Sequence, residues 1–141
     1  MAEFYNLQRK IKFDALQLRS FAENLPEKVD EAVGKNLAVA LVSDRRMIEL
    51  NSLFRGKNTT TDVLSFPHEP DDFDPDKDNL GDVVISVDQA QKQAIENGFT
   101  LEGELKQLIL HGVLHLCGYD HETDKGEMNA RELQLREQLG I

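Results

Sequence analysis

Apart from Glu102, Glu104 and Lys106 near its start, residues 101–117 form a run that is apolar nearly all round, and Gly118 stops it. A helix with no polar face must be buried, so the rest of the chain has to be arranged around it. The 141 residues suit one domain, 1–141, which at this size buries roughly two-thirds of its unfolded surface. With 40% hydrophobic and 30% charged residues, the chain is neither disordered nor collagenous. No apolar run approaches the ~20 residues of a membrane span. The opening Met-Ala-Glu-Phe-Tyr-Asn lacks the basic-then-apolar pattern of a secretory signal. The single cysteine, Cys117, excludes an internal disulfide and suits a reducing compartment. The expectation is a soluble, cytoplasmic protein without a membrane partner.

Around the buried helix the sequence predicts a first strand over 3–8 and a helix over 14–24 with Leu16, Leu18 and Phe21 as its apolar positions. The continuous apolar run Leu37-Ala-Val-Ala-Leu-Val42 is of strand length and belongs in a sheet interior. Ser43-Asp44 caps a helix reaching about Phe54, through a side-chain oxygen that accepts a first-turn N–H. A strand over 61–66 halts at Pro67, and another covers 82–86. Ser86 and Gln89 then form a capping-box pair opening a helix closed by Asn97-Gly98. A last amphipathic helix spans about 124–139. These elements make an α+β domain.

The formal charge of −10 argues against a nucleic-acid partner at face value, because phosphates are bound by Lys and Arg. The distribution weakens this. Residues 1–68 carry 10 basic and 9 acidic side chains, whereas 69–141 carry 6 and 17. Six acids sit in Glu69-Pro-Asp-Asp-Phe-Asp-Pro-Asp-Lys-Asp78 alone, a proline-containing solvated loop. A calcium loop is the sharper reading of 69–78, but the central Gly and closing Glu of a hand-type site are missing.

Three of the four histidines fall in His111-Gly-Val-Leu-His115-Leu-Cys-Gly118-Tyr-Asp-His121. His111 and His115 are i,i+4 on one helix face, and Gly118 permits a left-handed exit that swings His121 back toward them. Three converging imidazoles make a zinc site, one ion per chain, with a fourth position open to water. The bland alternative is three unrelated core or surface histidines. The spacing matches the metzincin protease frame, yet those enzymes place a glutamate base directly after the first histidine, and here that position is Gly112. Met128 imitates the methionine beneath a metzincin site or simply packs in the core.

A second cluster runs from Asn51 to Pro67. Arg55, at a helix end beside Gly56 and Lys57, has the bidentate fork suited to phosphate oxygens; its alternative is a helix-dipole contact or a solvated side chain. Asp62 and Asp82 are candidates to orient a ligand histidine from behind. A local turn bond is the alternative for Asp62, and the end of a turn for Asp82.

His111–His121, with Arg55-Gly-Lys57, Thr61-Asp-Val-Leu-Ser-Phe-Pro67 and Leu80-Gly-Asp-Val-Val-Ile85, resembles the YbeY family of metal-dependent endoribonucleases, also described as rRNA maturation factors. The resemblance covers about 37–141. It implies a mixed sheet of about four strands flanked by helices, His111, His115 and His121 as zinc ligands, and Arg55 near the scissile phosphate. It further implies single-strand-specific RNA cleavage in small-subunit (16S) rRNA 3′-end maturation and ribosome quality control. The partners it suggests are small-subunit ribosomal proteins and an assembly GTPase. His68 departs from the family's pattern; it either approaches the site or is an exposed loop histidine. Cys117 reads as a buried thiol. A zinc-dependent peptidase-like hydrolase and a non-catalytic assembly factor with structural zinc are the rival functions.

Overall fold

In the computed structural model, which describes residues 2–141, the four strands form one mixed sheet in the order β1-β2-β4-β3. Met1, the first residue of the expected domain, lies outside the described residues. The strands are β1 (Ala2–Asn6), β2 (Asn36–Val42), β3 (Val63–Pro67) and β4 (Asn79–Ser86). β1, β2 and β4 run parallel, and β3 is antiparallel to β4 at the edge. The helices are α1 (Ala15–Asn24), α2 (Asp44–Arg55), α3 (Val87–Asn97), α4 (Leu101–Leu116) and α5 (Glu127–Leu139). No helix among the described residues is long and apolar enough to cross a membrane.

The run 37–42 is the interior strand its composition required. Val39 and Leu41 of β2 join Val83 and Ile85 of β4 against the apolar side of α4, whose Leu105, Ile109, Leu110, Val113 and Leu114 are fully buried. α1 and α5 complete this cover through Leu18, Ala22, Met128 and Leu135. The opposite sheet face has a smaller core of Val42, Met47, Leu64 and Val84 under α2. Strand alternation therefore assigns Val83 and Ile85 to α4, and Asp82 and Val84 to the other side. Gly112 is the closest approach of α4 to the sheet: a Cβ there would lie 2.5 Å from Cγ1 of Val83.

The expected caps form at Ser43 and Ser86, and Asp14 and Thr100 cap α1 and α4 in the same way, each side-chain oxygen accepting a first-turn N–H. The Ser86 capping box is only half realised. The Gln89 amide donates to Asp44 (2.9 Å), and the Ser86 N–H goes to the Asp62 carbonyl (2.9 Å). Several boundaries differ from expectation for local reasons. β4 begins at Asn79 because 79–81 still pair with β2 and β3. β1 stops at Asn6, where Asn6 and Gln8 hydrogen-bond each other at the start of a loop. α5 begins at Glu127, since the Asp124 carboxylate holds the N–H groups of Gly126 and Met128 in a turn. Leu16, expected on the apolar face of α1, is exposed instead.

Candidate metal centre

α4 carries His111 and His115 on successive turns, and their Nε2 atoms face each other at 3.2 Å. Behind each ring a second group holds Nδ1. Oε1 of Glu132 on α5 lies 2.7 Å from Nδ1 of His111, and the Tyr119 carbonyl lies 3.1 Å from Nδ1 of His115. Gly118, at φ +102°, is where the chain turns back, so that the His121 ring stands 5.5 and 5.3 Å (centroid to centroid) from the other two. Ligand atoms of the three histidines lie within 4.8 Å of one another.

A carbonyl only accepts, so Nδ1 of His115 carries the proton and its Nε2 carries a lone pair. Nδ1–H of His111 donates to Glu132 in the same way. With both rings neutral, two lone pairs point at each other, an arrangement that a cation between them resolves; a histidine ligand held from behind by a carboxylate or carbonyl is the usual second layer of a metal site. Burial, followed by the neighbouring His111 and His121, pushes the pKa of His115 down, which keeps it in the neutral form that ligation needs. The residues present therefore fit one metal ion.

The loop between His115 and His121 is itself braced. The Tyr119 hydroxyl donates to Oε2 of Glu31 (2.6 Å), and Arg131 on α5 clamps Glu31 with Nε and Nη2 at 3.0 and 2.7 Å. The Arg131 guanidinium holds the Glu31 carboxyl down at about 2. Sequence reasoning missed Glu31, Tyr119, Arg131 and Glu132 altogether. Arg131 and Glu132 fall in the last amphipathic helix, and the one available signal is that Glu132 lies one turn from Met128. Met128 is buried in the core beside α4. Burial pushes the Cys117 thiol up to about 11, so it stays protonated at neutral pH and outside the trio.

The histidines open onto a cavity of about 510 Å³ that also has Arg55, Asp62, Ser65, Asp120 and Glu122 in its wall. Arg55 is the exposed last residue of α2, and no acidic side chain among the described residues pairs with it. One turn earlier the buried Asn51 donates to the Thr59 carbonyl (2.8 Å) and fixes the loop after α2. Asp62 reaches the cavity wall, but its carboxylate accepts from the Val63 N–H (2.8 Å) and from Gln93 on α3 (3.1 Å), with no bond to a histidine. Asp82 is not brought to the site. It opens onto a different cavity, of about 460 Å³, beside Tyr5, Ala38, Phe54 and Phe66 on the far side of the sheet. The carboxylate behind a histidine that was expected of Asp62 or Asp82 is instead Glu132, at His111. His68 pairs with Asp74 through Nε2 (2.8 Å) and stays with the acidic loop. Among the described residues only the three histidines cluster closely enough to hold a metal ion, so the calcium reading of 69–78 finds no support.

The family model described as Endoribonuclease YbeY matches residues 3–140. Endoribonuclease YbeY of Nautilia profundicola is 48% identical over 107 residues, covering 76% of this chain and 74% of that protein. Endoribonuclease YbeY of Helicobacter pylori strain 26695 is 43% identical over 129 residues, covering 91% and 84%. The solution structure of TM1509 from Thermotoga maritima superposes with a TM-score of 0.68 at 32% identity, covering 99% of this chain and 90% of that one. A match over nearly the whole chain, carried through sequence and fold alike, leaves one conclusion: this chain belongs to the YbeY family.

Proposed function

We propose that the chain is a zinc-dependent, single-strand-specific endoribonuclease, a single domain over residues 1–141, that acts in the cytoplasm on small-subunit rRNA in 16S 3′-end maturation and ribosome quality control. Family membership supports ribonuclease chemistry and an RNA substrate. The observation that carries the reading is the facing Nε2 pair, each ring tethered at Nδ1, in one cavity with an unpaired arginine. His111, His115 and His121 would hold the ion, and three neutral imidazoles suit zinc. When bound, zinc supplies Lewis acidity beside the scissile phosphate.

The remaining work falls to the chain. Arg55 donates its two parallel N–H groups to phosphate oxygens and stabilises charge that develops on them. Glu132 and the Tyr119 carbonyl keep the protons at Nδ1. Asp62, Asp120 and Glu122 make the cavity wall acidic, so a polyanion depends on Arg55 and on the metal charge to enter. An unpaired strand bends its phosphate into such a recess where a duplex cannot. Peptide hydrolysis is disfavoured because the position of the protease base is Gly112, packed onto Val83. Small-subunit ribosomal proteins and an assembly GTPase are the protein partners in this reading.

The test is cleavage of a labelled single-stranded RNA by wild type, by Arg55→Ala and by wild type with chelator. Arg55→Ala is expected to lose about 10²–10³-fold in rate with metal content unchanged, and chelation to abolish cleavage. Equal cleavage in all three overturns the assignment.

A further inference from the structure

β3 is an edge strand, and its hydrogen-bond phase decides what its outer side offers. The Ser86 N–H donates to the Asp62 carbonyl and the His68 N–H to the Leu80 carbonyl. In an antiparallel pair these contacts alternate, so 62, 64, 66 and 68 turn their backbone groups toward β4. The backbone groups of Val63, Ser65 and Pro67 turn outward, and the same three residues line the cavity of the three histidines. Their outward inventory is lopsided. The Val63 N–H is already taken by the Asp62 carboxylate (2.8 Å), and proline has no N–H. One donor remains, the Ser65 N–H, flanked by the carbonyls of Val63, Ser65 and Pro67.

A peptide strand adding to an edge needs donors and acceptors in alternation, and this edge is short of donors. A ribonucleotide strand matches it better. Each 2′-hydroxyl can donate to a carbonyl, and one phosphate oxygen accepts from a lone N–H. Successive outward positions are spaced roughly 6.7 Å along the strand, near the repeat of an extended nucleotide. The Ser65 hydroxyl bonds the Gly112 carbonyl (3.2 Å), which fixes this part of the edge to α4 one residue beyond His111.

We propose that the outer edge of β3 is the binding track for the RNA strand, the Ser65 N–H donating to a phosphate and the flanking carbonyls of Val63, Ser65 and Pro67 accepting from 2′-hydroxyls. The proposal rests on the ribonuclease reading above and deepens it: selection of RNA over DNA lies in backbone carbonyls of an edge strand.

The test compares cleavage of a labelled single-stranded oligouridylate by metal-replete wild type, Ser65→Ala and Ser65→Pro. Both variants lack the hydroxyl, but only proline lacks the N–H, and an edge strand accommodates it where that N–H faces outward. Ser65→Pro is expected to raise KM at least five-fold over Ser65→Ala at equal metal content. Should Ser65→Pro not fold, wild type decides alone: single 2′-deoxy substitutions walked along the strand are expected to raise KM at least three-fold at positions flanking the cleaved linkage. Equal KM for the two variants, a flat deoxy series, or competitive inhibition by an extended peptide overturns the track while leaving the ribonuclease standing. Absence of RNA cleavage by wild type overturns both.

Discussion

His111 and His68 each sit beside a carboxylate, at 2.7 Å from Glu132 and 2.8 Å from Asp74, yet the two regions do different work. At His111 the carboxylate takes Nδ1, which leaves Nε2 aimed at another imidazole. At His68 it takes Nε2, and the pair fastens the start of the acidic loop. A histidine–carboxylate contact therefore does not mark a metal centre; which ring nitrogen it occupies, and what the other one faces, does.

Substitutions can break that comparison. The largest effect is expected for His121→Ala, which should lower metal affinity and RNA cleavage by more than the ~100-fold that losing an orienting partner costs, whereas His68→Ala leaves both unchanged; metal titration and cleavage assays check this. Glu132→Ala should weaken metal binding by about 10–100-fold, and Asp74→Ala not at all.

The brace behind the ligand loop sharpens the contrast through pH. Glu31 is held at about 2 in the folded chain against an ordinary value of 4.5. Its stabilisation is fully present above pH 4.5 and is lost as the pH falls from there to about 2. Glu31→Gln should cost roughly 2 kcal/mol at neutral pH after allowance for solvent screening, and the difference from wild type should vanish near pH 2 in denaturant titrations. The smallest effect is expected for Asp74→Asn, whose denaturation midpoint should match that of wild type.

The parts of the molecule legible in the sequence are those set by short spacing. The largely apolar α4, the i,i+4 histidines on it, the Gly118 turn and the caps at Ser43 and Ser86 each depend on residues within a few positions. The second layer of the site was illegible because its partners meet only after folding: His111 with Glu132 across 21 residues, and Arg131 with Glu31 across 100. Asp82 was misplaced for a different reason. The run Val83-Val84-Ile85 is apolar on both faces of the strand, so it carries no phase to say which side Asp82 takes. The structure fixes that phase through Val83 beneath Gly112.

Arg131 and Glu132 are adjacent, and between them they reach both ends of the ligand array, one through Glu31 and Tyr119 and the other directly. During synthesis the three imidazoles leave the ribosome before the helix that aligns them. A chain lacking α5 would keep the three histidines but neither Glu132 behind His111 nor Arg131 behind Glu31.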